Sequence, residues 1–280
     1  MPPLDDLRRF LARHRKVLVL TGAGCSTASA IPDYRDDNGQ WKRRQPVMYG
    51  DFIADAAVRK RYWGRSLVGW QHFARATPNP AHRVLAAMEA AGTTAGLITQ
   101  NVDDLHQRAG SRQVLALHGT LDKVRCLDCR TWVHRDAFQH RLRSANAAYR
   151  ELSGPAAPDG DADLDVVDFS GFRVPDCMAC GGLLKPDVTF YGESVPRERY
   201  KRGEQWLAAA DALLVVGSSL MVYSSFRFAR RAAEWGMPIA AINLGSTRAD
   251  DLLAVKVAAP CEQVLPRLAE AMEPGPGGQT

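Results

Sequence analysis

VLVLTGAGCSTASAIPDYRD, residues 17–36, is the stretch on which the fold turns. Val17–Thr21 is a run of β-favouring, mostly apolar side chains. Gly22 and Gly24 follow at once, and a helix-compatible segment comes next. Strand, tight turn and helix start, in that order, open a nucleotide-binding α/β unit. The two glycines let backbone approach a pyrophosphate, and the amides that follow favour its negative charge. Ser26 and Thr27 add hydroxyl donors. Taken alone, Gly-x-Gly reads equally well as a plain strand-to-helix turn. The loop lacks the third glycine of the common dinucleotide fingerprint and the Lys-Ser/Thr pair of a phosphate-binding P-loop. A hydride-transfer dehydrogenase therefore fits poorly.

Working outward, further strands are expected at 95–100, 114–119, 212–219 and 238–245, with a sixth at 255–259. Helical patterns at 79–91, 198–210 and 225–235 separate them, and an amphipathic first helix is expected over 3–14. This alternation predicts an α/β fold, a parallel sheet covered by helices on both faces. The rhythm breaks twice. Residues 36–78, rich in Arg, Tyr and Trp, are read as a helical insertion or lid. Residues 120–190 are read as a small inserted zinc-binding module. The larger domain then comprises 1–119 and 191–274, and 275–280 is a flexible tail.

Polar and small residues stand at the ends of four successive strands: Gln100, Asn101 and Asp103; His118; Gly217, Ser218 and Ser219; and Asn243 with Gly245. Ligands of open parallel sheets gather outside the carboxyl ends of the strands. Asn101 and Asp103 are placed to hold a carboxamide and a ribose hydroxyl. His118 is the candidate base, because a neutral imidazole accepts a proton near neutrality. By position alone it reads equally as a helix cap or a histidine satisfying a core amide. Asp104 is read as a helix-start acid and His106 as a packed helix histidine.

The 280 residues are 46% hydrophobic and 24% charged, an ordinary globular balance that excludes global disorder. The net charge of +5 comes mostly from arginine, without the dense basic run a nucleic-acid binder needs. No apolar stretch reaches the length of a membrane span, and MPPLDDLRRF holds no signal core, so a cytoplasmic protein is expected. Four of six cysteines form two Cys-x-x-Cys pairs, Cys126/Cys129 and Cys177/Cys180. Two such turns supply four soft ligands, which suits one tetrahedral zinc with no open position, hence a structural site. Cys25 and Cys261 stand alone.

Together, GAGCSTASAIPDYR, TQNVD-LH, LHG, the two Cys-x-x-Cys pairs, LKPDVTFYGE and VVGSSL resemble the sirtuin family over roughly residues 15–265. RYWGRSLVGWQHF, PNPAHRVL, HGTLDKVRCLDC, APDGDADL and GSSLMVYSSFRFA resemble its class II branch, which includes the mitochondrial lipoamidase-like sirtuins. The resemblance implies a Rossmann-like domain plus a small zinc-binding domain, with the active cleft between them. It implies NAD as a consumed co-substrate and acylated-lysine proteins, bound as an added β-strand, as partners. Ala23, Gly24, Asp33, Tyr34 and Arg35 would form the loop over NAD. Gln100 would approach the nicotinamide ribose, and Asn101 and Asp103 would line the nicotinamide pocket. Gly22, Ser26, Thr27, Gly217, Ser218, Ser219, Asn243, Gly245 and Cys261 complete the cofactor set. His118 would be the general base, and Val188, Phe190, Tyr191, Gly192, Met221, Val222 and Tyr223 would hold the peptide. The products would be nicotinamide, free lysine and O-acyl-ADP-ribose. Ala30 departs from the family's usual glycine, and Cys25 from a small or branched apolar residue. Protein mono-ADP-ribosylation, lipoamidase-type specificity and a zinc-stabilised NAD-sensing module are the competing readings.

Overall fold

The computed structural model describes residues 2–34, 36, 40, 42 and 46–270. In chain order it shows α1 (Pro2–Arg13), β1 (Val17–Thr21), α2 (Tyr49–Ala54), α3 (Ala56–Arg75), α4 (Pro80–Ala90) and β2 (Thr94–Thr99). Then come α5 (Leu105–Arg108), β3 (Val114–Ala116), β4 (Gly119–Cys126), β5 (Trp132–His134), α6 (Arg135–Ala145) and β6 (Leu184–Val188). The chain continues through α7 (Arg197–Ala208), β7 (Ala212–Val216), α8 (Tyr223–Glu234), β8 (Ile239–Ile242), β9 (Val255–Val257) and α9 (Cys261–Glu270).

All five residues of β1 are buried. That burial follows from its place in the middle of a six-stranded sheet of order β3-β2-β1-β7-β8-β9. Every pairing in the sheet is parallel. Side chains alternate faces along a strand. Val17 and Val19 accordingly pack with α1, α4 and α9, while Leu18 and Leu20 pack with α7 and α8. Two covered faces explain the unbroken apolar run. The expected α/β fold with helices on both faces is what the chain adopts.

The strands stop earlier than the apolar runs suggest. The expected strand at 114–119 ends at Ala116, and the one at 212–219 ends at Val216. Gly217 has φ +59 and Gly119 has φ +88, values that L side chains rarely adopt. These glycines turn the chain out of the sheet, and the strand-end residues face the crevice beyond it.

A second sheet, antiparallel and ordered β5-β4-β6, carries the cysteine pairs. Its core includes Val124, Phe138, Leu142 and Phe172, and also Phe52, Tyr62, Trp63 and Leu67 from α2 and α3. The helical segment read from the sequence as part of the larger domain thus shares one core with the cysteine-bearing module. Arg135 ties α3 to α6. Its buried guanidinium donates to the Ser66 carbonyl (3.0 Å) and to Gln139 Oε1 (2.6 Å), and it lies over the Trp63 and Trp70 rings. Burial pulls its pKa down to about 10, which leaves it cationic at neutral pH. Among the described residues, no helix is long and apolar enough to cross a membrane.

The acidic segment at 154–168 lies against α3. Arg65 donates to the Ala162 carbonyl at 2.9 Å and pairs with Asp161 at 2.8 Å. A β-carbon on Gly69 would stand 2.2 Å from the Asp161 carbonyl carbon. Helix propensity alone favours alanine over glycine by about 1 kcal/mol. Backbone overlap reverses the sign, and Gly69→Ala is expected to destabilise the protein by about 1–3 kcal/mol in denaturant unfolding. Unchanged or increased stability would show that this segment does not dock on α3.

Candidate active site

The strand order changes sense at β1, with β2 and β3 on one side and β7 to β9 on the other. Loops leaving such neighbours part company and open a crevice. Here the loop after β1 forms two short 3-10 turns, Ala23–Cys25 and Thr27–Ser29. It meets the loop after β7 backbone to backbone: Gly24 donates to the Gly217 carbonyl at 2.9 Å. A β-carbon on Gly217 would lie 2.4 Å from the Cys25 nitrogen. Only glycine permits this approach. Asn79, the N-cap of α4, fixes the loop from behind by donating to the Cys25 carbonyl (2.8 Å) and Ser29 Oγ (3.0 Å).

A cleft of about 690 Å³ lies between the carboxyl edge of the large sheet and the small domain. Its size falls within the usual range for small-molecule and cofactor sites. Ala23, Gly24, Ser26, Thr27, Asp33 and Tyr34 line it from the first loop, and Gln100, Asn101 and Asp103 from the β2 end. His118 faces it from the turn into β4; Gly217, Ser218, Ser219, Asn243, Gly245 and Cys261 complete the sheet side. Val188, Phe190, Tyr191 and Gly192 from the small-domain side and Met221, Val222 and Tyr223 before and at the start of α8 also line it. Gly22 does not line the cleft. It sits beneath, its carbonyl accepting from Asn101 Nδ2, with no space for a β-carbon beside Ser218. Arg35 falls outside the described residues. Cys261 borders the cleft, but its thiol is nearly buried and rests 3.5 Å from the Gly24 carbonyl oxygen. Cys25 is wholly buried.

His118 is held by two contacts. Nδ1 lies 3.1 Å from the Gln100 carbonyl oxygen, and Nε2 lies 2.8 Å from Ser224 Oγ. A carbonyl oxygen only accepts, so Nδ1 carries the proton and Nε2 keeps its lone pair. Burial lowers the imidazole pKa to about 4; the Gln100 carbonyl opposes that and the Arg199 charge adds to it. At neutral pH the ring is therefore a free base with its basic nitrogen toward the cleft. Nδ1 does satisfy a buried backbone carbonyl, as the core-amide reading expects, while Nε2 bonds Ser224 Oγ at the start of α8. His106 does follow the packed-histidine reading: it is buried, with Nε2 2.9 Å from Thr21 Oγ1.

The neighbouring polar groups are fixed before any ligand arrives. Asn101 Nδ2 donates to the Gly22 carbonyl (3.0 Å) and Ser26 Oγ (2.9 Å), which commits both hydrogens and leaves Oδ1 for a ligand. Asp103 accepts from Ser26 Oγ (2.7 Å) and the Leu105 amide (3.0 Å). Burial raises its pKa, and those two donors pull it back. Gln100 Nε2 donates to Ser218 Oγ at 2.7 Å, joining two strand ends. Asp104 does precede α5, but its side chain makes no cap bond and instead accepts from Thr120. Ser224 and Asn79 are functional neighbours that sequence reading missed. Ser224 lies on α8, eight residues past the end of β7, where no strand-end rule points. Asn79 announces itself only as a helix cap.

The four cysteine sulfurs of the two pairs lie within 4.8 Å of one another, with Cys126–Cys180 at 3.5 Å and Cys129–Cys177 at 3.7 Å. Those spacings are far beyond a disulfide bond. They match the edge of a tetrahedron whose centre stands about 2.3 Å from each sulfur, the Zn–S distance. The donor set fits one structural zinc and offers no vacancy for substrate.

Residues 22–224 match the family model described as "Sir2 family". The NAD-dependent protein deacetylase of Bordetella bronchiseptica is 57% identical over 265 residues, covering 95% of this chain and 97% of its own. The NAD-dependent protein deacetylase 2 of Bradyrhizobium diazoefficiens is 57% identical over 261 residues, covering 93% and 96%. Among solved structures, a Sir2–p53 peptide–NAD+ complex superposes with a TM-score of 0.75 at 27% identity, covering 96% of this chain and 98% of that one. A second, described as revealing the mechanism and regulation of Sir2 enzymes, has a TM-score of 0.76 at 30% identity, covering 96% and 97%.

Two outcomes test the site's construction. Ala30 has φ 62 and ψ 23 and is exposed, a left-handed conformation that strains a β-carbon. Ala30→Gly is expected to raise unfolding stability by about 0.5–1 kcal/mol, the relief of that strain outweighing the entropy glycine adds to the unfolded chain. A loss of stability contradicts the assignment. Elemental analysis should find one zinc per chain, lost in Cys129→Ala together with the fold of the small domain. Equal zinc content in variant and wild type would remove the metal from this site.

Proposed function

The chain belongs to the Sir2 family, and from that premise we propose that its cleft removes acyl groups from protein lysine side chains with NAD as consumed co-substrate. The observation that carries this reading is the neutral His118 imidazole. Its basic Nε2 is bonded to Ser224 Oγ, and both residues line a cleft large enough for a dinucleotide, at the junction of the sheet ends and the small domain. Four cysteines are grouped so that they would hold a structural zinc, which would stabilise the small-domain wall.

The residues divide the work by chemistry. When bound, NAD would supply an anomeric carbon at which an acyl-lysine carbonyl oxygen can form a C–O bond as the C–N bond breaks and nicotinamide leaves. The turns at Ala23–Gly24 and Gly217–Ser218 let backbone approach the NAD phosphates closely, with the Gly24 and Gly217 amides already committed to the Gly217 and Ile242 carbonyls, so the other amides of these loops are the ones read as phosphate donors. Asn101 Oδ1 and the Asp103 carboxylate are oriented to accept from a carboxamide. Gln100 and Ser218, joined to each other, hold the ribose side. His118 Nε2 takes a proton from a ribose hydroxyl, and the Gln100 carbonyl steadies the imidazolium that results. Asp33 pairs with Lys42 at 2.7 Å and both line the cleft, where exclusion of bulk water would protect the sugar from hydrolysis. The products are nicotinamide, free lysine and O-acyl-ADP-ribose.

Three finer readings belong with the proposal. β6 is an edge strand of the small sheet, and its continuation borders the cleft opposite Met221–Tyr223. An acyl-lysine peptide is read as adding there as a strand, its main chain giving affinity with little regard to sequence. The class II motifs and the acidic segment docked on α3 support membership of that branch. The bacterial relatives carry the deacetylase name, which makes acetyl the acyl group to test first, with longer acyl and lipoyl chains beside it.

An acyl-peptide panel with NAD, read by mass spectrometry, tests the function. The expected result is loss of the acyl mass with matching O-acyl-ADP-ribose. A mass gain on the peptide, or intact NAD in every mixture, contradicts it. His118→Ala is expected to lower turnover about 10²–10⁴-fold while NAD affinity stays within about threefold. Unchanged turnover would remove His118 from the base role.

A further inference from the structure

Ser224 stands where only one hydrogen-bond partner fits. Neutral imidazole has a single in-plane lone pair, and here it belongs to Nε2, because Nδ1 donates to the Gln100 carbonyl. Ser224 Oγ occupies that lone pair at 2.8 Å. A ribose hydroxyl entering the cleft must therefore displace Ser224 from the base or reach the base through it.

The placement of Ser224 is not explained by helix capping, the usual work of a serine at a helix start. Val222 is the N-cap of α8 and receives no side-chain cap bond. The adjacent Ser225 does turn back onto the helix, donating to the Val222 carbonyl at 2.9 Å. Ser224 instead aims its hydroxyl at His118, 106 positions away in the chain. The segment that carries it is held from both sides. Leu220 is buried in a left-handed conformation at φ 55, and Arg248 donates from its backbone amide to the Ser219 carbonyl (2.8 Å) and from its side chain to the Met221 carbonyl (3.3 Å). A buried leucine keeps such a backbone only where its surroundings impose it. The hydroxyl is thus set in place rather than free to drift.

We propose that Ser224 positions His118 and relays the proton to it. This rests on the deacylase reading above. The ribose O–H bond breaks and its proton passes to Ser224 Oγ, while the Ser224 O–H proton passes to His118 Nε2. The ribose oxygen is left activated, His118 becomes imidazolium, and Ser224 emerges with its hydroxyl intact. A hydroxyl suits this place because it donates to the neutral ring and, after rotation, accepts from the protonated one. The imidazole plane stays fixed throughout. Ser224 also keeps water from Nε2, so removing it should favour the charged ring both by loss of a donor to the lone pair and by hydration.

The charged groups around the imidazole are left in place by a change at 224. Arg199 on α7 acts on His118 and pairs with Asp187 of β6 at 3.7 Å. Asp103 after β2, Glu193 after β6 and Arg227 on α8 line the same cleft.

The experiment compares wild type, Ser224→Ala and Ser224→Thr for deacylation, for exchange of labelled nicotinamide into NAD, and for the pH dependence of kcat/KM. Wild type must first deacylate; if it does not, the function proposed above fails before any variant is read. Given wild-type activity, Ser224→Ala is expected to lower kcat about 10- to 100-fold with KM for NAD and peptide within about threefold. Nicotinamide exchange, which precedes proton removal, should stay within about threefold. The acid limb of kcat/KM should move up by about one pH unit. Ser224→Thr, which keeps the hydroxyl, should restore both. A kcat that is unchanged or higher in Ser224→Ala overturns the proposal and makes the serine a bystander or a blocker. Equal losses in exchange and deacylation, with an unmoved pH profile, make it structural and overturn the proposal as well.

Discussion

One hydrogen bond organises this molecule: the contact between His118 Nδ1 and the Gln100 carbonyl. It fixes the tautomer of the base and aims its lone pair into the cleft. Each partner depends on a different part of the fold. Gln100 follows β2, its amide bound to the Thr21 carbonyl and its side chain to Ser218, so its carbonyl sits at the meeting of three strand ends. His118 follows β3 and precedes Gly119, whose left-handed turn starts the small sheet. The His118 carbonyl in turn accepts from the Thr189 amide at 2.7 Å, which anchors the Val188–Gly192 wall. The residue that carries the chemistry is also the joint between the two domains.

That arrangement explains why the cleft needs two insertions rather than one. The cysteine module alone is a short antiparallel sheet with its ligands at one end. Packing of α2 and α3 through Phe52, Trp63 and the buried Arg135 gives it a core large enough to hold a wall over the sheet ends. The four-cysteine cluster, which would hold zinc, lies at the far end. On the other side, Gly217 and Gly24 let two loops touch through backbone, where any side chain would hold them apart. Ala30 and Leu220, both left-handed without being glycine, flank this contact in the chain. Their strain sits in the two loops that border the cleft.

Much of this was legible in the chain itself. Val17–Thr21 and the Gly-x-Gly after it announce a buried parallel strand and its turn, because full burial on both faces leaves an unbroken apolar run. The polar strand ends announce the crevice by the same topology. The cysteine spacing announces four thiolates, since two short turns are enough to bring them together. What could not be read is contact across sequence distance. The reach of Ser224 to His118 depends on how α8 starts, and no pattern along the chain records it. The shared core of α3 and α6 arises from two segments that look independent in sequence. The ends of β3 and β7 were overrun because Leu117 and the residues after Val216 have suitable propensities, while the positive φ of Gly119 and Gly217 is a property of the fold. Gly22 was read as a place where backbone approaches a pyrophosphate; in the structure it packs tightly beside Ser218 and its carbonyl accepts from Asn101, a packing role no pattern along the chain records.

The most direct test is the state of one ring. Nitrogen-15 NMR of the ligand-free protein, with the His118 signals assigned through the His118→Ala variant, reports which ring nitrogen is protonated and where the ring titrates. The account predicts a neutral imidazole with its proton on Nδ1 at neutral pH, titrating near pH 4. A ring protonated on Nε2 instead, or one that titrates at the ordinary value near 6.5, would contradict it.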